Sequence, residues 1–226
     1  MLRAVIFDFD GVITDSEILH FRAFNAVLRR LGVELTTQDY YKTYLGLTDI
    51  DCFRMLIRQG LLKMDQGRIP DLLHKKKVVF EEMARTEGRL IEGARDCIGM
   101  LAENTIPMAI CSGSLLPEIE VVLEDAKLRE FFEVIVSAEH IRAGKPNPEG
   151  MLLTLKRLNV NRREPIRGGE CVVIEDSSWG LEAAKAAGMH TVGVTNSYDA
   201  AQLGLAEKIV GNLAELRISD LQQLCA

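Results

Sequence analysis

Residues 3–12 read RAVIFDFDGV, and this segment is the most informative one in the sequence. An unbroken apolar run that ends in two acids indicates a short buried strand whose end carries polar chemistry. Asp8 and Asp10 are two residues apart, so in an extended strand both carboxylates face one pocket, and Gly11 lets the chain turn sharply. Crowded carboxylates require a cation or a shared proton, and Mg²⁺ prefers oxygen ligands. An ordinary strand-end turn rich in Asp is the alternative that this motif alone leaves open.

Short apolar runs alternate with helical patterns along most of the chain. This alternation predicts an α/β fold with a parallel sheet covered on both faces. Ligands in such sheets bind beyond the carboxyl ends of the strands. The predicted strands are residues 3–7, 106–111, 134–137, 171–174 and 191–194, and the predicted helices between them are residues 94–104, 116–125, 149–159 and 178–188.

The alternation stops between residues 15 and 90, where the sequence has no convincing strand. Apolar residues recur at helical spacing from Phe21 to Leu31, and Gly32 is a suitable helix stop. We therefore predict that residues 15–90 form an all-helical domain, inserted into a core of residues 1–14 and 91–226. The other helix signals in the insertion are two candidate N-caps, Thr37 and Thr48, and Pro70 in the first turn of a helix that runs to about residue 86.

Three later segments place polar residues where a phosphate or a metal would bind. Ser112 and Gly113 follow the second predicted strand, where a hydroxyl and backbone N–H groups at a helix start bind phosphate. Lys145 lies in a loop stiffened by two prolines, and a fixed lysine neutralises a phosphoryl group and a carboxylate together. Glu175 and Asp176 end another strand, where acids complete a metal site. Each also has an ordinary explanation, as an N-cap serine, a solvated lysine or acids that favour a helix dipole.

In this order, the four motifs resemble those of the haloacid dehalogenase-like superfamily, in the branch of β-phosphoglucomutase and phosphoglycolate phosphatase. The resemblance spans nearly the whole chain and implies a Rossmann-like core, a helical cap domain and a phosphatase for a small phosphorylated metabolite. It also implies that Asp8 is the nucleophile and Asp10 the general acid and base. Ser112 and Gly113 match the phosphate-binding loop, and Lys145 matches the charge-stabilising lysine.

The resemblance implies a magnesium site as well. Its ligands match Asp8, the backbone carbonyl of Asp10, and Asp176. Glu175 is expected either as a further ligand or as a partner of the ligands.

Four residues of the insertion are weaker candidates for contact with the substrate. The resemblance places His20 where a histidine helps to position the acid/base, and Tyr44 and Gly46 in a segment that reaches the substrate. Lys76 lies in a run of three lysines, of which one is a candidate for the phosphate pocket. Such runs are more often a solvated helix face.

Rival activities differ at particular residues. A dehalogenase lacks the second aspartate, so Asp10 argues against that class. A β-phosphoglucomutase-like mutase carries a basic residue in a G-x-x-R pattern, whereas the segment Gly46-Leu47-Thr48-Asp49 ends in an acid, which favours a phosphatase. A non-catalytic binding or regulatory protein that kept the fold is the alternative from another class. Such a protein usually loses a motif residue, and none is lost here.

Composition limits the partners. The chain has 27 basic and 33 acidic side chains, a formal net charge of −6, which argues against nucleic acid as the main partner. No apolar stretch is long enough to span a membrane, and the N-terminus lacks the pattern of a signal peptide. Five cysteines without a C-x-x-C pair fit reduced thiols. We therefore expect a cytoplasmic protein without membrane partners. Our expectation for the oligomeric state, which composition does not reveal, is a monomer or a weak dimer.

Overall fold

The fold is described from a computed structural model, for residues 1–44, 47–87 and 89–226. The chain divides into two compact units. The sheet unit comprises Met1–Asp15 and Arg89–Ala226, and the helical unit comprises Ser16–Gly88.

The sheet unit is built on a six-stranded parallel sheet of order β3-β2-β1-β4-β5-β6. Its central strands are continuous apolar runs because helices cover both faces of such a sheet. The predicted α/β class with a Rossmann-like parallel sheet is confirmed, and the structure adds a sixth strand at the edge. The strands are β1 Ala4–Phe7, β2 Met108–Cys111, β3 Phe132–Val136, β4 Cys171–Glu175, β5 His190–Val194 and β6 Lys208–Val210.

The described residues also form nine α-helices. Four belong to the helical unit: α1 Glu17–Arg29, α2 Thr37–Thr43, α3 Asp49–Arg58 and α4 Ile69–Glu87. Five belong to the sheet unit: α5 Ala94–Glu103, α6 Leu116–Asp125, α7 Glu149–Leu158, α8 Ser178–Ala186 and α9 Ile218–Leu224. No helix among the described residues combines the length and the apolar character needed to cross a membrane.

The strand order places three chain turns at one edge of the sheet. β1 lies between β2 and β4, and Phe7 is paired with Ile110 on one side and Ile174 on the other. The sheet order therefore changes direction beside β1, the position at which parallel α/β sheets bind their ligands. Because all three strands run parallel, the residues that follow them emerge together at this edge.

Helices α7 and α8 pack on β2, β3, β4 and β5, and their contact buries an apolar core. Ile6, Ala109 and Val173 contribute from the strands, and Met151 and Ala184 from the helices. The strand ends at the ligand edge are therefore held by a packed interior, as a preorganised site requires.

The helical unit has its own apolar core and clear helix caps. Thr48 caps α3 as predicted, its hydroxyl accepting a hydrogen bond from the backbone N–H of Asp51 at 3.2 Å. The cap of α2 is Thr36, not the predicted Thr37: its hydroxyl accepts from the N–H of Asp39 at 3.1 Å. Thr37 is instead the first residue of the helix.

Candidate active site

Three buried carboxylates meet at the carboxyl ends of β1 and β4. Asp8 follows β1, and its N–H donates to the carbonyl of Ile174 at 2.9 Å, which aligns it with the end of β4. Glu175 is the last residue of β4, and Asp176 follows it. One carboxylate oxygen of each of Asp8, Glu175 and Asp176 lies within 4.8 Å of the others. The sheet therefore brings together acids that are 167 residues apart in sequence, Asp8 and Glu175.

Lys145 joins two of these carboxylates. Its Nζ lies 2.5 Å from Oδ1 of Asp8 and 2.5 Å from Oε1 of Glu175. Burial acts to lower the pKa of Lys145, but the two carboxylates outweigh it and hold that pKa well above its usual value. Lys145 is therefore a fixed cation beside Asp8.

The pKa of Asp8 is raised well above its usual value. Burial is the main cause, and the nearby carboxylates of Glu175, Asp176 and Asp10 act in the same direction, while Lys145 opposes them. The charged form of Asp8 is thus incompletely compensated by the protein alone.

Glu175 is completely buried, and both of its carboxylate oxygens have partners. Oε1 accepts from Lys145, whereas Oε2 accepts from the backbone N–H groups of Asp176 and Ser177, each at 3.0 Å, and from the hydroxyl of Ser177 at 2.7 Å. The first turn of α8 passes so close that a β-carbon at Gly180 would overlap the Glu175 carboxylate. The fixed carboxylate of Glu175 therefore holds the Lys145 ammonium in position.

Asp176 lies against the turn that follows Asp8. Burial raises the pKa of Asp176 to about 7, with a contribution from Glu175, while a hydrogen bond from Ser197 and the charge of Lys145 oppose the rise. Gly11 has φ of +78°, and a β-carbon there would overlap the Asp176 carboxylate. The amide of Asn196 donates to the carbonyl of Gly11 at 2.8 Å. A glycine is therefore required at residue 11 for space as well as for conformation.

Asp10 has a different set of contacts. Its Oδ2 accepts a short hydrogen bond from the hydroxyl of Ser114, and the hydroxyl of Ser112 lies 3.4 Å away. The backbone N–H of Ser114 donates to Oγ of Ser112 at 2.9 Å. Gly113, between the two serines, is exposed in the loop from β2 to α6. Asp10 thus joins the predicted nucleophile turn to the predicted phosphate-binding loop.

Three of the four predicted residues of the helical unit lie among the described residues. His20 and Lys76 lie together, with Nζ of Lys76 2.5 Å from Nδ1 of His20. Tyr44 is buried in the core of the unit, where its hydroxyl donates to Oε1 of Gln59 at 2.7 Å. Gly46 lies outside the described residues.

The lysine run at residues 75–77 is not a uniformly solvated helix face, because Lys76 has no exposed surface. Its Nζ lies 2.8 Å from Oδ2 of Asp49 and 4.8 Å from the ring centre of Phe80. Burial, and next the charge of Lys76, hold the pKa of His20 well below its usual value. A neutral His20 therefore accepts a hydrogen bond from the Lys76 ammonium.

A family model for haloacid dehalogenase-like hydrolases matches residues 5–194 of the chain, which contain all seven motif residues predicted for the core: Asp8, Asp10, Ser112, Gly113, Lys145, Glu175 and Asp176. The chain belongs to the haloacid dehalogenase-like hydrolases. The family predicted from the sequence motifs is thus confirmed.

Two curated relatives of this hydrolase are named as phosphatases. The phosphorylated carbohydrates phosphatase of Thermotoga maritima is 34% identical over 202 residues, which cover 87% of this chain and 87% of that protein. Hexitol phosphatase B of Escherichia coli K12 is 30% identical over 223 residues, which cover 97% of this chain and 96% of that protein. The enzyme class of this hydrolase is that of the phosphoric monoester hydrolases.

A solved structure has the same fold over almost the whole length. CbbY from Rhodobacter sphaeroides, crystallised in complex with phosphate, has a TM-score of 0.88 at 26% identity. The match covers 98% of this hydrolase and 100% of that chain.

Sequence reasoning assigned no role to four residues that support the hydrolase site: Ser114, Gly180, Asn196 and Ser197. Gly180 had a local signal: a glycine in the first turn of a helix lowers helix stability, which suggests that the space left by its missing side chain is needed. Ser114 had a weaker one, as the second hydroxyl of a Ser-Gly-Ser turn. Asn196 and Ser197 follow β5 in sequence, and only the folding of the chain brings them to the site.

Proposed function

We propose that this hydrolase is a magnesium-dependent phosphatase for a small phosphorylated metabolite, of the phosphosugar or phosphoglycolate type, and that it forms a phosphoaspartyl intermediate on Asp8. The observation that carries the proposal is Lys145, held 2.5 Å from both Asp8 and Glu175. A nucleophilic carboxylate beside a fixed buried cation suits attack on an anionic phosphoryl group. The names of the two curated relatives, which specify phosphorylated carbohydrates and hexitol, support the substrate class.

The acidic edge fits a divalent cation. Three buried carboxylates converge there, and the raised pKa values of Asp8 and Asp176 mean that their charged forms need more positive charge than Lys145 supplies. Oxygen ligands suit Mg²⁺. Asp8 and Asp176 would hold the ion, with the backbone carbonyl of Asp10 as the resemblance implies, because both oxygens of Glu175 already have partners. Bound Mg²⁺ supplies charge neutralisation between a nucleophilic carboxylate and an anionic phosphate.

In the first half of the proposed reaction, Asp8 attacks phosphorus. A bond forms between an Asp8 oxygen and phosphorus as the ester bond from phosphorus to the leaving oxygen breaks. Asp10, in its protonated form, gives its proton to that oxygen, so the product leaves as an alcohol. Lys145, the hydroxyl of Ser112 and the N–H of Gly113 hold the phosphoryl oxygens in place.

In the second half, water replaces the alcohol. Asp10 is now a carboxylate and removes a proton from water, whose oxygen attacks the phosphorus of the aspartyl phosphate. The bond from phosphorus to Asp8 breaks, and inorganic phosphate leaves. Asp8 returns to its carboxylate form and Asp10 to its protonated form, so both residues are ready for another turnover.

Three further assignments belong to the proposal. The helical unit serves as the cap domain, which the resemblance implies, and its role is substrate selection. The partner is a small metabolite, neither nucleic acid nor membrane. The protein is cytoplasmic, and is a monomer or a weak dimer.

Water is proposed as the phosphoryl acceptor on the charge of one residue, Asp49. Asp49 stands where a mutase carries a basic residue, and Asp49 already pairs with Lys76 at 2.8 Å. A negative carboxylate at this position opposes the binding of a bisphosphate.

Release of phosphate from p-nitrophenyl phosphate in the presence of Mg²⁺ tests the proposed function. We expect Asp8→Asn to lower kcat by about a thousandfold or more, because the amide has nearly the same shape but is a poor nucleophile. Asp125→Asn is the matched control, since Asp125 is exposed in α6 and should be fully active. Near-normal kcat in a folded Asp8→Asn protein would refute the phosphoaspartyl mechanism.

A further inference from the structure

Ser114 is held rigidly in the loop that follows β2. It is 8% exposed, and its N–H donates to Oγ of Ser112 at 2.9 Å. Its carbonyl accepts from the N–H of Ala138 at 3.0 Å. With its backbone fixed on both sides, the Ser114 hydroxyl reaches Oδ2 of Asp10 and donates a short hydrogen bond to it.

The hydrogen bond from Ser114 restrains the orientation of the Asp10 carboxylate. The last torsion of an aspartate joins an sp³ carbon to an sp² carbon, and its rotational preference is broad. Packing is a weak constraint as well, since Asp10 is only partly buried. A hydrogen bond to one named oxygen sets the plane of the carboxylate, and with it the direction in which a proton is delivered.

We propose that Ser114 is the positioning residue for Asp10: its hydroxyl sets the carboxylate plane from which Asp10 protonates the leaving oxygen. This inference rests on the proposed function. Ser112 is less suited to the role, because its hydroxyl lies farther from Asp10, at 3.4 Å, and is assigned to the substrate phosphate. Ser114 acts on the reaction through Asp10.

A positioning role predicts a dependence on the leaving group. Protonation matters most when the departing oxygen is strongly basic, and least when the departing anion is already stable. Loss of the Ser114 hydroxyl should therefore slow phosphate esters of basic alcohols far more than esters of acidic phenols. Sugar and polyol phosphates fall in the first group, so Ser114 would matter most for the proposed substrate class.

The test compares kcat/KM for p-nitrophenyl, phenyl and p-methoxyphenyl phosphate, which have similar size but leaving groups of increasing basicity. We expect Ser114→Ala to lose about tenfold in kcat/KM on phenyl phosphate and less than about twofold on p-nitrophenyl phosphate. The ratio between two substrates does not depend on the folded fraction, so partial misfolding does not obscure it. Ser114→Thr keeps the hydroxyl and should restore the wild-type ratio.

Asp10→Asn provides the reference for complete loss of the acid. Ser219→Ala is the matched control, because Ser219 is exposed in α9, and it should keep the wild-type ratio. An equal loss on all three esters, or a change in KM alone, would mean that Ser114 binds substrate instead, and would overturn the inference. If the wild type hydrolysed none of the esters, the proposed function itself would fail. If the wild type is active and Ser114→Ala keeps its ratio of kcat/KM between the esters, only the positioning role of Ser114 is refuted.

Discussion

Gly180 packs directly against the carboxylate of Glu175, with no room for a β-carbon between them. Gly180→Ala should therefore push Glu175 away from Lys145 and lower kcat by about tenfold or more, since small errors of position are costly in catalysis. Alanine is the better helix former by about 1 kcal/mol, so helix propensity alone predicts a more stable variant. The overlap with the Glu175 carboxylate predicts a less stable one. Steady-state kinetics and urea unfolding of the variant check both expectations.

Gly99→Ala is the control for this prediction. Gly99 lies in α5, and a β-carbon there would meet no atom within 4 Å. It should leave kcat unchanged and raise stability slightly through helix propensity. If Gly180→Ala behaved in the same way, the close contact with Glu175 would have no catalytic consequence.

Gly180 also illustrates where sequence reasoning stops. The motifs of Asp8, Ser112 and Glu175 could be predicted because each lies at a strand end, and buried parallel strands appear in the sequence as apolar runs, whereas Lys145 lies in a loop beyond β3. The contacts that fix Glu175 could not be predicted. Gly180 reaches it from the first turn of α8, and Lys145 reaches it from a loop 30 residues away in sequence. Only the packed structure shows that one glycine must stay small.

Magnesium should stabilise the protein more strongly at high pH. The pKa of Asp176 is raised to about 7, so the folded state holds this proton more tightly than the unfolded chain, where the pKa is about 3.9. The stabilising contribution is therefore complete below about pH 4 and is lost as the pH rises through about 7. Because the proposed ion would bind the charged carboxylate, its apparent affinity should fall about tenfold for each pH unit below that pKa.

Thermal unfolding with and without Mg²⁺, at about pH 5.5 and about pH 8, measures this effect. The increase in Tm caused by the ion should be larger at the higher pH. Asp176→Asn should lose the effect at both pH values, since it removes a proposed ligand together with its titration. An equal increase in the wild type at both pH values would contradict the assignment of Asp176 as a ligand.

The pair of Lys76 and Asp49 makes a prediction about the helical unit alone. Asp49→Asn leaves the buried Lys76 ammonium without this carboxylate and should destabilise the unit by about 2 kcal/mol, less than for a fully buried pair because Asp49 is partly exposed. Lys76→Met, of similar length and without charge, should recover stability in the Asp49→Asn background. Urea unfolding of the two single variants and the double variant measures the coupling.

Lys75 offers the matched comparison, since it pairs with Asp71 on the exposed side of the same helix at 2.7 Å. Asp71→Asn should leave the urea midpoint unchanged. If Asp49→Asn also left it unchanged, the buried pair would contribute nothing to the folded state.

Three features missed in the sequence each have a physical cause of their own. β6 has three residues at the edge of the sheet, and Ile209 at its centre is exposed, so no buried apolar run marks it. Thr36 and Thr37 are equally able to cap a helix, so residue type alone does not decide between them. Lys76 looks like its neighbours in sequence, and its burial depends on which helix face meets Asp49.

The last prediction separates the phosphatase from a phosphomutase. A mutase must hold a bisphosphorylated intermediate at both ends, so its cap needs a cation for the distal phosphate. By the resemblance of its sequence pattern, the corresponding residue in this chain is Asp49, whose carboxylate Oδ2 lies 2.8 Å from Nζ of Lys76 and so neutralises a buried cation of the helical unit. The two nearby arginines, Arg54 and Arg58, are exposed in α3, and Nη1 of Arg54 lies 3.4 Å from Oδ1 of Asp51. The local charge balance therefore offers little attraction to a second phosphate.

We accordingly expect inorganic phosphate to account for most turnover of any good substrate, with no activation by a sugar bisphosphate. The measurement incubates β-glucose 1-phosphate and Mg²⁺ with a trace of glucose 1,6-bisphosphate, and follows glucose 6-phosphate and released phosphate in the same sample. A panel of sugar phosphates and phosphoglycolate, assayed for phosphate release, guards against the choice of a poor substrate. Asp49→Asn removes the opposing carboxylate and should tolerate the bisphosphate better than the wild type does. Conversion to glucose 6-phosphate much faster than phosphate release, in the wild type, would establish the mutase and reject water as the acceptor.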